Sequence, residues 1–385
     1  MPPLDLPFAT EEYRARLARV HAAMAERGLD VLLVHTPENN YYLTGYRTIG
    51  YYSYTALIVP RGRDPIHLNR AIEKSVVEGT SWVPHQVVYP DTEHYLDATV
   101  RALREAGLDR GRAGIDKEAW YLTIGDYERL QGRLPQVTFV DAAGLVDTMR
   151  IVKSPAEQEY SRRAGRIASE AMRQCLAAIR PGMTELDLQA EAYGALLRRG
   201  SEYQGLPPLV NTGVRATMAH ATAEGRRIER GDLVYLEMAA SVKRYHAAVL
   251  RCAWVGEPPR RAVEMTDVCR RALEAGIAVM KPGVPCEEVD RACRKVVDDA
   301  GYGGSFRHKA GYSIGIALPP DWSEARTIML RGGEKRPLQA GMVFHILPAC
   351  IEYRDHCAGV SHTVLITETG HEVLTDVEET LFVAG

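Results

Sequence analysis

Two stretches of this chain are built to one plan. IASEAMRQCLAAIRPGMTELDLQAEAYGALLRRG, from Ile167 to Gly200, is echoed by RRALEAGIAVMKPGVPCEEVDRACRKVVDDAG, from Arg270 to Gly301. Each reads as an amphipathic helix, a tight turn made of a basic residue, proline and glycine, and a second helix. Strand-like runs follow each pair. One supersecondary unit therefore occurs twice, and the fold has to bury two equivalent helix pairs.

Local signals place the first pair closely. At Lys153 the pattern restarts with SPAEQE, where Ser154 caps, Pro155 suits the first helical position and Glu157 completes a capping box. That helix should run to about Ile179, and Thr184 should cap the next, ending near Gly200. Upstream, Thr10 and EEYRARLARVHAAMAERG read as a capped amphipathic helix stopped by Gly28, leading into a strand from Asp30 to Val34. The runs TALIVP, PIHLN and VVYP alternate with helical segments around Leu96 to Ala106 and Tyr121 to Leu134. This is the alternation of an α/β layer domain. A boundary between Thr148 and Val152 gives domains 1–150 and 151–385. NNYYLTGYRTIGYYSY reads as a tyrosine-rich loop broken by two glycines, either a packed or dimer-contact surface or part of a substrate site.

Composition excludes several classes. A chain of 385 residues suits two domains. The net charge of -3 and a pI near 6.5 offer no basic footprint for nucleic acid or anionic lipid, so a small molecule is the expected partner. No apolar run approaches the roughly 20 residues of a membrane span. MPPLDLPFATEEY has acidic residues and no apolar signal-peptide core, and the 7 cysteines show no CxxC or zinc spacing. Reduced thiols and a cytoplasmic location are the expectation.

The segment RHKAGYSIGIALPPDWSE, Arg307 to Glu324, resembles the HGxGHGIG segment of the creatinase and aminopeptidase P superfamily. His308 matches the first histidine, and Tyr312 stands where that family has a metal-bound one. AGYSIGIALPPDW is similar to the ectoine hydrolases, a metal-independent branch of the superfamily. The resemblance covers most of the chain and is densest from Gly213 to Thr375. It implies a homodimer whose chains are α/β, with an N-terminal creatinase-like α/β domain and a C-terminal pita-bread α+β domain. In the latter, a pseudo-symmetric antiparallel sheet is cupped by two helix pairs. Its strands are expected at Asp232 to Ala239, Tyr245 to Val255, Ala310 to Ala317, Met342 to Ile351 and Val360 to Thr367.

Metal-dependent members hold a dinuclear centre with two Asp, one His and two Glu, ligands suited to Mn, Co or Zn. GDLVYLEMAASVKRYHAAVLRC matches the family's GDxVxxDxGxxxxGYxxDxTR, which sets Glu237 in the first Asp position and Ala248 in the second. Tyr312 replaces the His. In GMVFHILP Leu347 takes the first Glu position, and in GVSHTVLITETG the second falls on Ser361 or a neighbour. Alanine and leucine have no donor atom, so no metal and no cofactor is expected. The guanidinium-binding glutamates of creatinase would fall on Leu250 and Leu347, which makes creatine a poor substrate.

The remaining polar groups define a candidate site. Glu237 lies in mid-strand, on one face with Tyr235 and Ala239; burial there would raise its pKa into a range useful for general acid/base work or nucleophilic attack. His220, in NTGVRATMAHATAEG, matches a position that in creatinase is the catalytic imidazole. Tyr312 would donate a hydrogen bond to developing charge in place of the metal. Arg215 reads as a carboxylate clamp or a surface arginine, and Trp322 as a pocket wall or packing under its Pro-Pro turn. His345 and His308 read as substrate contacts or as core and rim histidines. Tyr52 and Arg47 belong to a loop that the resemblance implicates in substrate binding, sometimes across the dimer. The expected function is metal-independent hydrolysis of a C–N bond in a small zwitterion, such as ring opening of a cyclic amidine. A creatinase-like hydrolase or lyase, an Xaa-Pro metallopeptidase and a non-catalytic binding module are the alternatives.

Overall fold

The computed structural model describes residues 5–324 and 326–385. The chain divides into two compact units, Met1–Arg150 and Ile151–Gly385. In the first, α1 (Thr10–Glu26), β1 (Val31–Val34), α2 (Pro37–Thr44), β2 (Ala56–Pro60), β3 (Ile66–Arg70) and α3 (Lys74–Thr80) come first. β4 (Gln86–Tyr89), α4 (Tyr95–Glu105), β5 (Gly111–Ile115), α5 (Ile124–Arg133), β6 (Val137–Asp141) and α6 (Asp147–Arg150) complete it. The strands form one sheet in the order β4-β3-β2-β1-β5-β6, parallel for β1, β5 and β6 and antiparallel where β1, β2 and β3 pair.

Two local expectations change here. Thr10 is the first helical residue rather than the cap: Ala9 holds the extended N-cap position, and no side chain caps α1. The tyrosine-rich stretch is not one loop. Pro37 opens α2 and Gly45, in the left-handed region at φ 82°, ends it, while Tyr41, Tyr42 and Leu43 are buried. Tyr54 then stacks on Tyr95 with ring centroids 4.6 Å apart.

The second unit begins with α7 (Pro155–Ala178), α8 (Glu185–Arg198), β7 (Leu209–Thr212), β8 (Leu233–Val242) and β9 (Tyr245–Val255). The second half has α9 (Arg260–Ala278), α10 (Cys286–Asp299), β10 (Gly311–Ser313), β11 (Met329–Leu330), β12 (Val343–Ile346), β13 (Ala349–Glu352), β14 (His356–Gly359), β15 (His362–Ile366), β16 (His371–Val373) and β17 (Phe382–Ala384). Ser154 and Thr184 both form capping boxes, as their sequence motifs require. The strands pair as β17-β9-β8-β7 and as β11-β10-β12-β15-β16, with β13 and β14 as a hairpin.

Each half buries its own helix pair. Val234, Leu236, Met238, Ala240 and Val242 of β8 pack with Ala168, Met172, Leu188 and Ala192 of α7 and α8. In the second half Leu273, Val289 and Cys293 of α9 and α10 pack with Phe344, Ile346 and Val364. The halves are joined where β9 meets the start of β15: the Leu250 amide donates to Ser361 Oγ at 2.7 Å and the Ala248 amide to Thr363 Oγ1 at 2.9 Å.

Two expected strands are broken. Only Gly311–Ser313 of the 310–317 stretch pairs continuously, because Ile314 and Ile316 leave the ladder for separate bridges to Ser323 and Tyr245. The 342–351 stretch splits at Leu347-Pro348, where proline has no amide to give. Among the described residues no helix is long and apolar enough to cross a membrane.

Candidate active site

The face of β8 turned away from α7 and α8 carries Tyr235, Glu237 and Ala239. Tyr235 joins an apolar cluster with Leu233, Leu250 and Cys252, and Ala239 joins another with Ala248, Ile314, Trp322 and Tyr312. Glu237 sits between them, 4% exposed and paired in register with Leu250 on one side and Leu209 on the other. Among the described residues its side chain has one hydrogen bond, from Tyr235, whose hydroxyl donates to Oε2 at 2.9 Å. Burial pushes the Glu237 carboxyl up to about 7, with the Tyr235 bond opposing the shift. A carboxyl so placed gives up and takes back a proton near neutrality.

Tyr312 shares the Ala239 cluster and feels the charge of Glu237. Burial raises its hydroxyl well above the usual tyrosine value, so it acts as a hydrogen-bond donor rather than an acid. β10 pairs Tyr312 with His345 of β12, and the His345 Nδ1 lies 2.9 Å from the Tyr312 hydroxyl. The other imidazole nitrogen, Nε2, lies 2.7 Å from Ser361 Oγ. Burial lowers His345 to about 3, keeping the ring neutral. Trp322 is buried in the same cluster and its indole N–H donates to the Tyr312 hydroxyl at 2.8 Å. It therefore both packs under its turn and touches the site. The segment bearing it is pinned by a buried pair in which Lys153 Nζ donates to Glu324 Oε2 at 2.6 Å.

Tyr312, His345 and Trp322 are thus brought together beside Glu237; of the other expected residues of this unit, Arg215, His220 and His308 do not join them. Arg215 does clamp a carboxylate, but it is that of Glu185. The fully buried Glu185 side chain accepts from Arg215 Nε at 3.2 Å, from the Thr212 amide at 2.8 Å and from the Glu224 amide at 2.9 Å. The surface reading of Arg215 fails as well, because its side chain is only 17% exposed. His220 is exposed in a turn and, among the described residues, makes no hydrogen bond to Glu237. His308 is partly buried with Nδ1 2.7 Å from the Lys309 carbonyl, outside the Tyr312 network. Arg47 and Tyr52 lie in the first unit; Arg47 pairs with Asp5, and Tyr52 is 78% exposed in a short 3-10 turn.

Sequence reasoning missed two polar groups. In the sequence Tyr235 is a neighbour of Glu237 on one strand face, and its spacing of two is the signal that places its hydroxyl beside the carboxyl. Ser361 falls on a lost metal position in the sequence; that its hydroxyl meets His345 depends on β12 and β15 pairing, which spacing does not reveal.

A family profile described as metallopeptidase family M24 matches residues 159–368, and one for the creatinase/prolidase N-terminal domain matches 16–152. This chain belongs to family M24. Among curated M24 relatives, it is 32% identical to the ectoine hydrolase of Halomonas elongata over 402 residues, covering 99% of both chains. It is 24% identical to an Xaa-Pro dipeptidase of Pyrococcus horikoshii, covering 95% of this chain and 98% of the relative. The prolidase structure from Thermococcus sibiricus superposes with a TM-score of 0.88 at 21% identity, covering 96% and 99% of the two chains. The architecture is therefore a creatinase-like N-terminal domain followed by a pita-bread domain.

The family's description implies a metal, but the residues of this M24 chain do not fit a dinuclear centre. Ala248 and Leu347 offer no donor, and the Tyr312 and Ser361 hydroxyls both contact His345. Among the described residues no group of three or more His, Cys, Asp or Glu side chains is placed to hold an ion.

Proposed function

We propose that this chain is a metal-independent hydrolase that opens a C–N bond in a small zwitterionic substrate, a cyclic amidine of the ectoine type. The observation that carries the reading is the buried Glu237 carboxyl, pushed up to about 7, at a site where two of the family's ligand positions are the donorless Ala248 and Leu347 and, among the described residues, no group of three or more His, Cys, Asp or Glu is placed to hold an ion. The 32% identity with an ectoine hydrolase over nearly the whole chain supports the substrate class. Loss of the guanidinium-binding positions to Leu250 and Leu347 counts against creatine.

In the cycle we envisage, ionised Glu237 takes a proton from water as the oxygen attacks the amidine carbon, forming the C–O bond. The nitrogen regains its lone pair in the tetrahedral intermediate, where the Tyr312 O–H donates to it. Protonated Glu237 then gives its proton to the other, leaving nitrogen as the C–N bond breaks; the oxygen's lone pair closes to C=O, and the hydroxyl proton passes to the released amine. This gives Glu237 the proton transfers that the position matched to creatinase's catalytic imidazole, His220, would otherwise carry, and leaves Arg215 to its structural pairing with Glu185. The test is to incubate EDTA-dialysed protein with ectoine, creatine and an Xaa-Pro dipeptide and follow each by NMR. Ring opening of ectoine to N-acetyl-diaminobutyrates is expected; cleavage of the dipeptide alone, and only once metal is added, would overturn the reading.

A further inference from the structure

Ser361 has no part in the cycle above, yet its hydroxyl fixes the direction of every hydrogen bond on the Tyr312 side. It is fully buried, with the Leu250 amide and His345 Nε2 each 2.7 Å away. The amide can only donate, so Ser361 Oγ accepts from it. The serine's own proton then has one acceptor among the described residues, His345 Nε2. A neutral imidazole accepting at Nε2 carries its proton on Nδ1, which lies 2.9 Å from the Tyr312 oxygen. The Trp322 indole N–H, also a pure donor, reaches the same oxygen at 2.8 Å.

Tyr312 therefore accepts two hydrogen bonds, and its O–H is left for a third partner. Running the chain the other way would send the tyrosine proton to Nδ1 and the Nε2 proton to Ser361, stranding the serine proton in a buried spot without an acceptor. Tyr312 is itself only partly buried and packs on the cluster that contains Ala239, two residues along β8 from Glu237. We infer that Ser361 and His345 are positioning residues, which hold Tyr312 as an obligate hydrogen-bond donor for substrate beside Glu237.

What that donor does rests on the proposed function. A protonated amidine presents N–H groups, which cannot accept from Tyr312; only when the carbon becomes tetrahedral does a nitrogen regain a lone pair. The bond forms as the barrier is climbed, so Ser361 and His345 act on kcat rather than on substrate affinity.

The direct test needs no substrate. In full-length protein labelled with 15N-histidine, long-range 1H–15N correlation at neutral pH should show His345 protonated at Nδ1 and bare at Nε2, its signals identified by their loss in His345→Gln. The opposite tautomer overturns the inference whatever the activity. In Ser361→Ala the tautomer should become mixed, and kcat should fall by about tenfold to a hundredfold with KM nearly unchanged. An unaltered tautomer with unaltered kcat would count against the relay. Because the tautomer is read without turnover, a correct tautomer in a protein that hydrolyses no C–N substrate would overturn the proposed reaction and leave the relay standing.

Discussion

Two polar regions lie next to each other in the pita-bread domain, and they are built in opposite ways. On β8 the Glu237 carboxyl has, among the described residues, one hydrogen bond, from Tyr235, and lies between two largely apolar clusters. On the β10, β12 and β15 side, Trp322, Tyr312, His345 and Ser361 bond to one another in series and end on a backbone amide. The under-partnered region has its proton affinity moved to about 7, where it can change charge during a reaction. In the networked region, His345 drops to about 3 and keeps one charge state. Desolvation drives both shifts: because it penalises charge, it lifts an acid from 4.5 toward neutrality and drives a base from 6.5 away from it, so the same burial makes Glu237 the group that can change charge and His345 the one that stays neutral.

The contrast breaks most sharply at Glu237. Glu237→Gln keeps the shape and removes the base, and kcat/KM for the amidine should fall by roughly a thousandfold or more. Near wild-type kinetics in that variant would remove Glu237 from the mechanism. Tyr312→Phe should cost about a hundredfold, the loss of one donor to developing charge, mainly in kcat. Equal loss in Glu237→Gln and a double variant with Tyr312→Phe would show that the two regions act as one unit. In the wild type, kcat/KM should rise with pH up to about 7 and then level off, following ionisation of Glu237.

The same carboxyl makes a separate prediction for stability. It ionises near 4.5 in the unfolded chain and near 7 in the folded one. Below the lower value neither state is charged and burial of Glu237 carries no electrostatic cost. Between the two values the unfolded chain loses its proton first, so stability falls as pH rises; above the upper value the cost is constant, on the order of 3 kcal/mol. Chemical denaturation should therefore show Glu237→Gln gaining stability over wild type from pH 5 to pH 8. A difference that is flat across that range would mean the carboxyl is not desolvated. Arg215→Ala supplies the control outside both regions. It should destabilise the fold by about 3 kcal/mol by stranding the buried Glu185, with KM unmoved, and a raised KM at unchanged stability would restore it as a substrate clamp.

What the sequence made legible follows the range of the interactions. The caps at Ser154 and Thr184 are decided within four residues and were readable to the residue. The doubled helix pair was readable from periodicity, whereas β8, β9 and the loss of metal donors at Ala248 and Leu347 were readable only with the family resemblance that aligns them. Legibility failed where a distant partner decides. Arg215 meets a glutamate 30 positions earlier, and the 310–317 stretch is pulled off its ladder by Tyr245 and Ser323. His345 was read with its core and substrate roles both open, because its meaning lies in Tyr312 and Ser361, 33 and 16 positions away.

The central claim is that this carboxylate opens a C–N bond without a metal. The most direct measurement is the rate of ectoine ring opening by EDTA-dialysed protein, before and after adding back Mn, Co or Zn ions in turn. The account predicts turnover in the metal-free sample and no gain from any ion. A dead metal-free sample that recovers when an ion is restored would contradict it.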